Sequence, residues 1–308
     1  MHPDSARAER IADLRRQIAG LEGRPDPILA GRIIGEPAGT PTPPRNGTRE
    51  DTRAAPRRLA FGIAEIDAAF SGEGGLAAGA LHHLRTAETR GAGAGAGFLA
   101  ALLARHAGAG SDAVLWVAAR EARAEAGGLY APGLKAFGLD PARLLLVAAR
   151  GEADALWAIE EGLACRGLAG VVGEFQGLPK HIDLTATRRL ALRAREGGRP
   201  VFLLTHGGPP MVTAAATRWL VAPGPSPPDP ELAEAGFDAP GDPAWSLALE
   251  KNRDGRTGRW LIAWSRHDHA FRLAEPPARP VAAAPADRQA RPPAPGDGLA
   301  HPSLGRAS

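Results

Sequence analysis

The sequence predicts an α/β fold in which a mostly parallel sheet is flanked by helices. Five short apolar runs carry the first part of that reading: ALHHL (80–84), AVLWVAA (113–119), RLLLVAA (143–149), AGVVGEF (169–175) and PVFLLTH (200–206). They are continuous rather than alternating, as strands covered on both faces are. Between them lie FLAALLARH (98–106), EADALWAIEEGLA (152–164) and DLTATRRLALRARE (183–196), which read as amphipathic helices. Strands joined by helices argue a parallel sheet. The third observation is WSLALEKNR (245–253) followed by RWLIAW (259–264), with Asp254-Gly255 between them. That dipeptide is a turn signal, so the pair reads as a C-terminal β-hairpin extending the sheet.

The elements follow in order along the chain. Residues 1–22 hold an N-terminal amphipathic helix over 5–21, where Ile11, Leu14, Ile18 and Leu21 make one narrow apolar stripe on a charged cylinder. Such a stripe calls for a partner. Residues 23–58 show no periodicity and read as a flexible linker. The domain proper runs over 59–272. In the second helix Leu156, Ile159 and Leu163 share a face; in the third Leu184, Leu190, Ala191 and Ala194 form an apolar arc, with Arg189 and Arg193 opposite. A Pro-rich insertion occupies 223–243, and the Pro/Ala-rich stretch 273–308 reads as a disordered tail. Prolines cluster accordingly: seven in 22–58, seven in 223–243 and eight in 273–308.

Composition limits the chemistry. With 37 basic against 34 acidic residues the chain carries a net charge of only +3, which excludes a histone-like protein. Three lysines, Lys135, Lys180 and Lys251, leave nearly all of the positive charge to arginine. The single cysteine, Cys165, excludes an intramolecular disulfide and a cysteine-rich metal site, and suits a reducing compartment; the cytoplasm is the expectation. No run of about 18 apolar residues predicts a membrane span.

The segment TAETRGAGAGAG (86–97) follows the first strand, where α/β folds bind phosphate. A working P-loop, GxxxxGK[ST], needs a Lys for the β/γ-phosphates and a hydroxyl for Mg²⁺. Here Gly97 is followed by Phe98 and Leu99, and Arg90 precedes the glycines. Gly91, Gly93, Gly95 and Gly97 therefore read as a degenerate phosphate loop, either without ligand or binding an anion weakly through backbone N–H groups alone. Glu174 ends the fourth strand, where a nucleotide-hydrolysing fold keeps a metal-holding acid; with no partner Ser/Thr it reads as a cap or as the mate of an arginine. His82 and His83 are sent to opposite faces of a strand, and His267-Asp268-His269 reads as a surface turn, so no metal site is expected. No catalytic constellation and no cofactor are expected either. Arg188, Arg189, Arg193 and Arg195 on one helix, and Lys251, Arg253, Arg256 and Arg259 around the hairpin, could meet phosphates or an acidic partner. Without interleaved aromatics the signal for single-stranded DNA is weak.

The order of these pieces resembles the RecA recombinase core. Phe61-Gly62-Ile63-Ala64-Glu65-Ile66-Asp67, then Gly74-Gly75-Leu76, Gly79 and a strand, look like the approach to its Walker A loop. Tyr130-Ala131 to Leu139, the strand RLLLVAA, Glu152-Ala153 with its helix, and the strand to Glu174 follow in recombinase order. Leu249-Glu250-Lys251-Asn252-Arg253 resembles that family's lysine-containing strand near the subunit interface. ERIADLRRQIAGLEG, FGIAEIDAAF with GGL and GALHHL, LYAPGLKAFGLDPARLLLV, ADALWAIEEGL, VVGE, DLTATRRLAL, AAATRWLVAP and LEKNR with GRW resemble the ImuA family more closely, across most of 5–264.

That resemblance implies a noncatalytic protein with a RecA-like, P-loop-type core. It implies induction in the SOS response and work beside the polymerase-like protein ImuB and a DnaE-type polymerase in error-prone translesion synthesis. Two other classes stay open at this point. One is a SulA-like cell-division inhibitor, since the family also resembles those FtsZ-binding proteins; the other is a divergent DNA-dependent ATPase.

Overall fold

The computed structural model describes residues 57–107, 112–226 and 239–274, with scattered positions between 226 and 239. The expected helix over 5–21, most of the linker and the tail lie outside the described residues. Within them the sheet has nine strands in the order β5-β4-β6-β7-β3-β8-β9-β10-β11. A two-stranded antiparallel ribbon precedes it, β1 (Arg58–Leu59) on β2 (Leu76–Ala77).

The predicted strands form β3 (Leu81–Thr86), β4 (Ala113–Ala118), β5 (Leu144–Ala148), β6 (Leu168–Gln176) and β7 (Val201–His206). All pair in parallel, and β8 (Thr217–Pro223) adds a further parallel strand beside β3. β9 (Ala244–Asn252), β10 (Gly258–Ser265) and β11 (Ala270–Leu273) then extend the sheet antiparallel. The predicted hairpin is β9–β10; its turn residue Asp254 is held by Arg58 of β1 at 2.5 Å and by Ser71. The sheet is thus mixed and largely parallel.

Two cores follow from this layering. Helix α2 (Ala92–Ala107), after the short α1 (Ala64–Asp67), buries Phe98, Leu99, Leu102 and Leu103 on one face of the sheet. Phe61, Trp219, Trp245, Trp264 and Phe271 fill the same side, with the Phe61 and Trp219 rings 5.5 Å apart. The short helices α3 (Arg120–Ala126) and α4 (Ala131–Ala136) follow β4, and Leu134 of α4 joins that core. Helices α5 (Glu152–Ala164) and α6 (Leu184–Gly197) cover the other face through Leu156, Ile159, Leu163, Leu190 and Ala194. Asp183 caps α6 by accepting the Ala186 N–H at 2.7 Å, and Gly198 closes it at φ +64°, where a side chain would be strained. In β8 and β9 Trp219, Val221, Leu247 and Leu249 alternate with less buried residues, because only one face there meets the core, while in β10 the run from Ile262 to Ser265 is buried throughout.

Candidate functional site

The parallel register brings the carboxyl ends of β3, β6 and β7 together: Thr86 pairs with His206, and Gln176 with His206. Strand alternation turns Thr86, Glu174, His206 and Trp116 toward the α2 side. They form one chain of polar contacts under the first turns of that helix. Trp116 Nε1 donates to Glu174 Oε2 at 2.8 Å, and His206 Nε2 lies 2.8 Å from Glu174 Oε1. His206 Nδ1 is 3.3 Å from the Thr86 hydroxyl, which donates to Glu88 O at 2.9 Å. Gln176 Nε2 donates to the Thr89 hydroxyl at 2.6 Å, fixing the turn that enters α2. Glu174, His206, Trp116 and Thr86 are all buried. Glu174 therefore has a structural role, as expected, but its partners are a histidine and an indole rather than an arginine or a helix end. No local pattern announces these partners, which stand 32 and 58 residues away from Glu174 along the chain.

The glycine segment is not a loop. Residues 89–91 form one 3-10 turn, and Gly93, Gly95 and Gly97 lie inside α2, which starts at Ala92 rather than near Phe98. The glycines serve packing. A Cβ on Gly91 would sit 3.1 Å from Thr86, one on Gly95 3.0 Å from both Leu204 Cδ1 and Thr86 Cγ2, and one on Gly97 3.0 Å from Phe137. Gly93 alone faces open space. Missing side chains let the helix settle onto the strand ends, so the space between helix and sheet is filled by protein. This tertiary contact overrides the weak helix propensity of glycine. Beside it is a cleft of about 200 Å³ whose walls include Gly93, Gly97, Gly127, Tyr130 and Phe137, with Glu174 at its base. None of its lining residues is basic, so the cleft has nothing to neutralise a phosphate.

The proposed basic contacts divide. On α6 the 100° step puts Arg188 and Arg195 on one flank and Arg189 and Arg193 on the other. Arg189 is spent on Glu160 of α5, at 2.6 Å. That pair edges a groove of about 470 Å³ between α5 and α6, lined also by Trp157, Lys180 and His181. Arg188 and Arg193 are exposed, with no hydrogen bond or ion pair among the described residues. Lys251 donates to Thr213 O at 3.0 Å, and Arg253 is exposed. Burial first, then Arg253 and Arg218, lower Lys251 below the ordinary lysine value. Arg85 and Arg218 both bind Glu250; burial alone would raise that carboxyl, but their hydrogen bonds and charges hold it below its ordinary value.

The histidines behave as structural groups. His82 lies 2.8 Å from the Thr217 hydroxyl and 2.9 Å from Ala77 O, while His83 lies 3.0 Å from the Thr205 hydroxyl on the other face. Burial pushes both down to about 4. Residues 266–269 form an exposed turn, as expected. Among the described residues no group of three His, Cys, Asp or Glu could hold a metal, and no helix is long and apolar enough to cross a membrane.

None of the known protein-family profiles matches the chain. It is similar to Protein ImuA of Caulobacter vibrioides strain NA1000 / CB15N, at 36% identity over 259 residues, covering 79% of this chain and 98% of that protein. Protein ImuA of strain ATCC 19089 / CIP 103742 / CB 15 matches with the same identity and coverage. A likeness at that level across nearly the whole relative settles the kinship: the chain belongs to the ImuA family.

Proposed function

We propose that the protein is a noncatalytic, RecA-like accessory factor of inducible, error-prone translesion DNA synthesis, which holds an ImuB-type polymerase-like protein and a DnaE-type polymerase together. The observation that carries the noncatalytic part is the closed contact chain Thr86–His206–Glu174–Trp116 where a P-loop fold would seat phosphate and metal. A phosphoryl-transfer site works by placing positive charge around the transferred group. Here the helix that follows the first parallel strand carries glycine and alanine against the strand ends. The RecA-like reading is supported by the position of β3 in mid-sheet and by an acidic residue near the end of β6, two strands away.

Membership in the ImuA family supports the cellular part of the proposal. Scaffolding follows from what remains once chemistry is set aside: an ordered α/β body with exposed arginines on α6 and beside the β9–β10 hairpin. Single-stranded DNA contact through Arg188, Arg193 and Arg253 is at most weak and salt-sensitive in this reading.

Co-purification from cells before and after DNA damage tests it. The tagged full-length chain should bring down the polymerase-like protein and the DnaE-type polymerase together. Recovery of a cell-division protein instead, with filamentation on overexpression, would move the assignment to the SulA-like class.

A further inference from the structure

The cleft beside α2 is lined by residues of three kinds. Small ones come from α2 itself, Gly93 and Gly97 among them, and from Gly127-Gly128 in the turn that joins α3 to α4. A Cβ added to Gly93, Gly127 or Gly128 would meet nothing within 4 Å, so these three glycines border open space. Two aromatic rings follow. Tyr130 is 72% exposed, and Phe137 is braced from behind by Trp245, with the ring centroids 5.9 Å apart. The third kind is a carboxyl group. Glu174 is the only charged residue among the described ones that line the cleft, and it lies at the base with its side chain 9% exposed.

Size and charge limit what can enter. The volume of about 200 Å³ falls below the roughly 300–1,000 Å³ of pockets that take drug-sized ligands. One side chain fits; a nucleotide does not. A carboxylate can accept about four hydrogen bonds, and Trp116 and His206 account for two of them. An anion in the cleft would face Glu174 with no cation to offset it. An aliphatic group would cover the carboxyl without giving it a partner, and so desolvate it uncompensated. A guanidinium meets both demands, since it donates to a carboxylate and lays its weakly hydrated plane against aromatic rings.

We infer that the cleft is a receptor for one arginine side chain of a protein partner, held by Glu174 at the base and by Tyr130 and Phe137 at the walls. The inference rests on the noncatalytic scaffold reading above and names the chemistry by which that scaffold grips a partner.

Tyr130 is the only tyrosine of the chain, so 3-fluorotyrosine labelling of the full-length protein puts a single fluorine resonance at the cleft. At constant ionic strength N-acetyl-arginine amide should shift that resonance saturably, whereas the neutral isostere N-acetyl-citrulline amide and ATP should leave it in place. Glu174→Gln should weaken the arginine titration by about tenfold or more. Because Glu174 also belongs to a buried contact chain, Gly93→Leu serves as the second variant: its Cβ meets no neighbour, its side chain fills the cleft, and the same loss is expected. The purified ImuB-type protein should move the same resonance and should bind Gly93→Leu about tenfold more weakly than wild type. Equal shifts from the arginine and citrulline amides, or no shift from either, overturn the inference alone. A saturable shift by ATP overturns it and reopens the divergent-ATPase class. An arginine titration as expected, with ImuB-type binding that Gly93→Leu leaves unchanged, assigns the cleft to a free cation and overturns the protein partner. Wild-type protein that fails to bind the ImuB-type protein overturns the scaffold reading and this inference with it.

Discussion

His206 Nε2 and Glu174 Oε1 lie 2.8 Å apart, with the His206 side chain fully buried and that of Glu174 nearly so. The other ring nitrogen of His206 faces Thr86, and the other oxygen of Glu174 takes the Trp116 N–H. Every polar atom of the pair therefore has a partner within the protein.

Breaking it should cost stability. His206→Ala leaves Glu174 buried with a partner missing, a loss of about 1–3 kcal/mol. Trp116→Phe removes the second donor and should cost about 1 kcal/mol. The two changes meet at one carboxyl, so their effects should not add. Urea unfolding of the two single variants and the double variant measures this.

The glycines of α2 make opposite predictions by position. Gly95→Leu forces side-chain atoms into Leu204 and Thr86 and should destabilise by about 1–3 kcal/mol. Gly93→Ala meets nothing within 4 Å and should stabilise by up to about 1 kcal/mol. Thermal melts of both variants decide; a phosphate-gripping loop would not order them this way.

ATP turnover should stay below about 0.1 per second, with or without DNA, about tenfold under the lower end of ordinary enzyme rates. A coupled assay on stringently purified protein checks it. DNA-stimulated turnover at or above that rate would restore the divergent-ATPase class.

Acid should unfold the protein in a defined window. His82 and His83 are held at about 4 in the folded chain, against 6.5 for the free side chain. Between those values the unfolded state takes up protons that the folded state refuses, so stability is full above about pH 6.5 and falls as pH drops toward 4. Each ring accounts for roughly 3 kcal/mol over that range. Asp254 and Glu250, both held below their ordinary values, add a further loss below it. Stability measured from pH 7.5 to 4.5 should fall steeply, and His82→Gln should flatten the curve.

Arg189→Ala should change stability by less than about 1 kcal/mol, because its pairing with Glu160 is half exposed to solvent and screened. Its effect on DNA affinity should be smaller than that of Arg188→Ala, whose charge is uncommitted. Filter binding across a salt series separates the two.

What was legible in the sequence was what local pattern encodes. The five continuous apolar runs became β3 to β7, and Asp254-Gly255 marked the β9–β10 turn. β8 escaped that reading because TRWLVAP alternates, being covered on one face beyond β3, and β11 because four residues are too few for a period. The start of α2 was misplaced because glycine speaks locally for a loop; only contact with Leu204 and Thr86 makes its small size an asset. For the same reason the partners of Glu174 were invisible, since they are set by strand order rather than by spacing.

The central position of β3 has a consequence for synthesis. Both of its neighbours, β7 and β8, are encoded far downstream, and 120 residues separate Thr86 from His206. At roughly 5–20 residues per second, a ribosome leaves this strand without either neighbour for about 6–24 s. During that interval its row of backbone donors and acceptors, with Leu81 and Leu84 between them, is open to wrong pairing, and slower elongation lengthens the exposure.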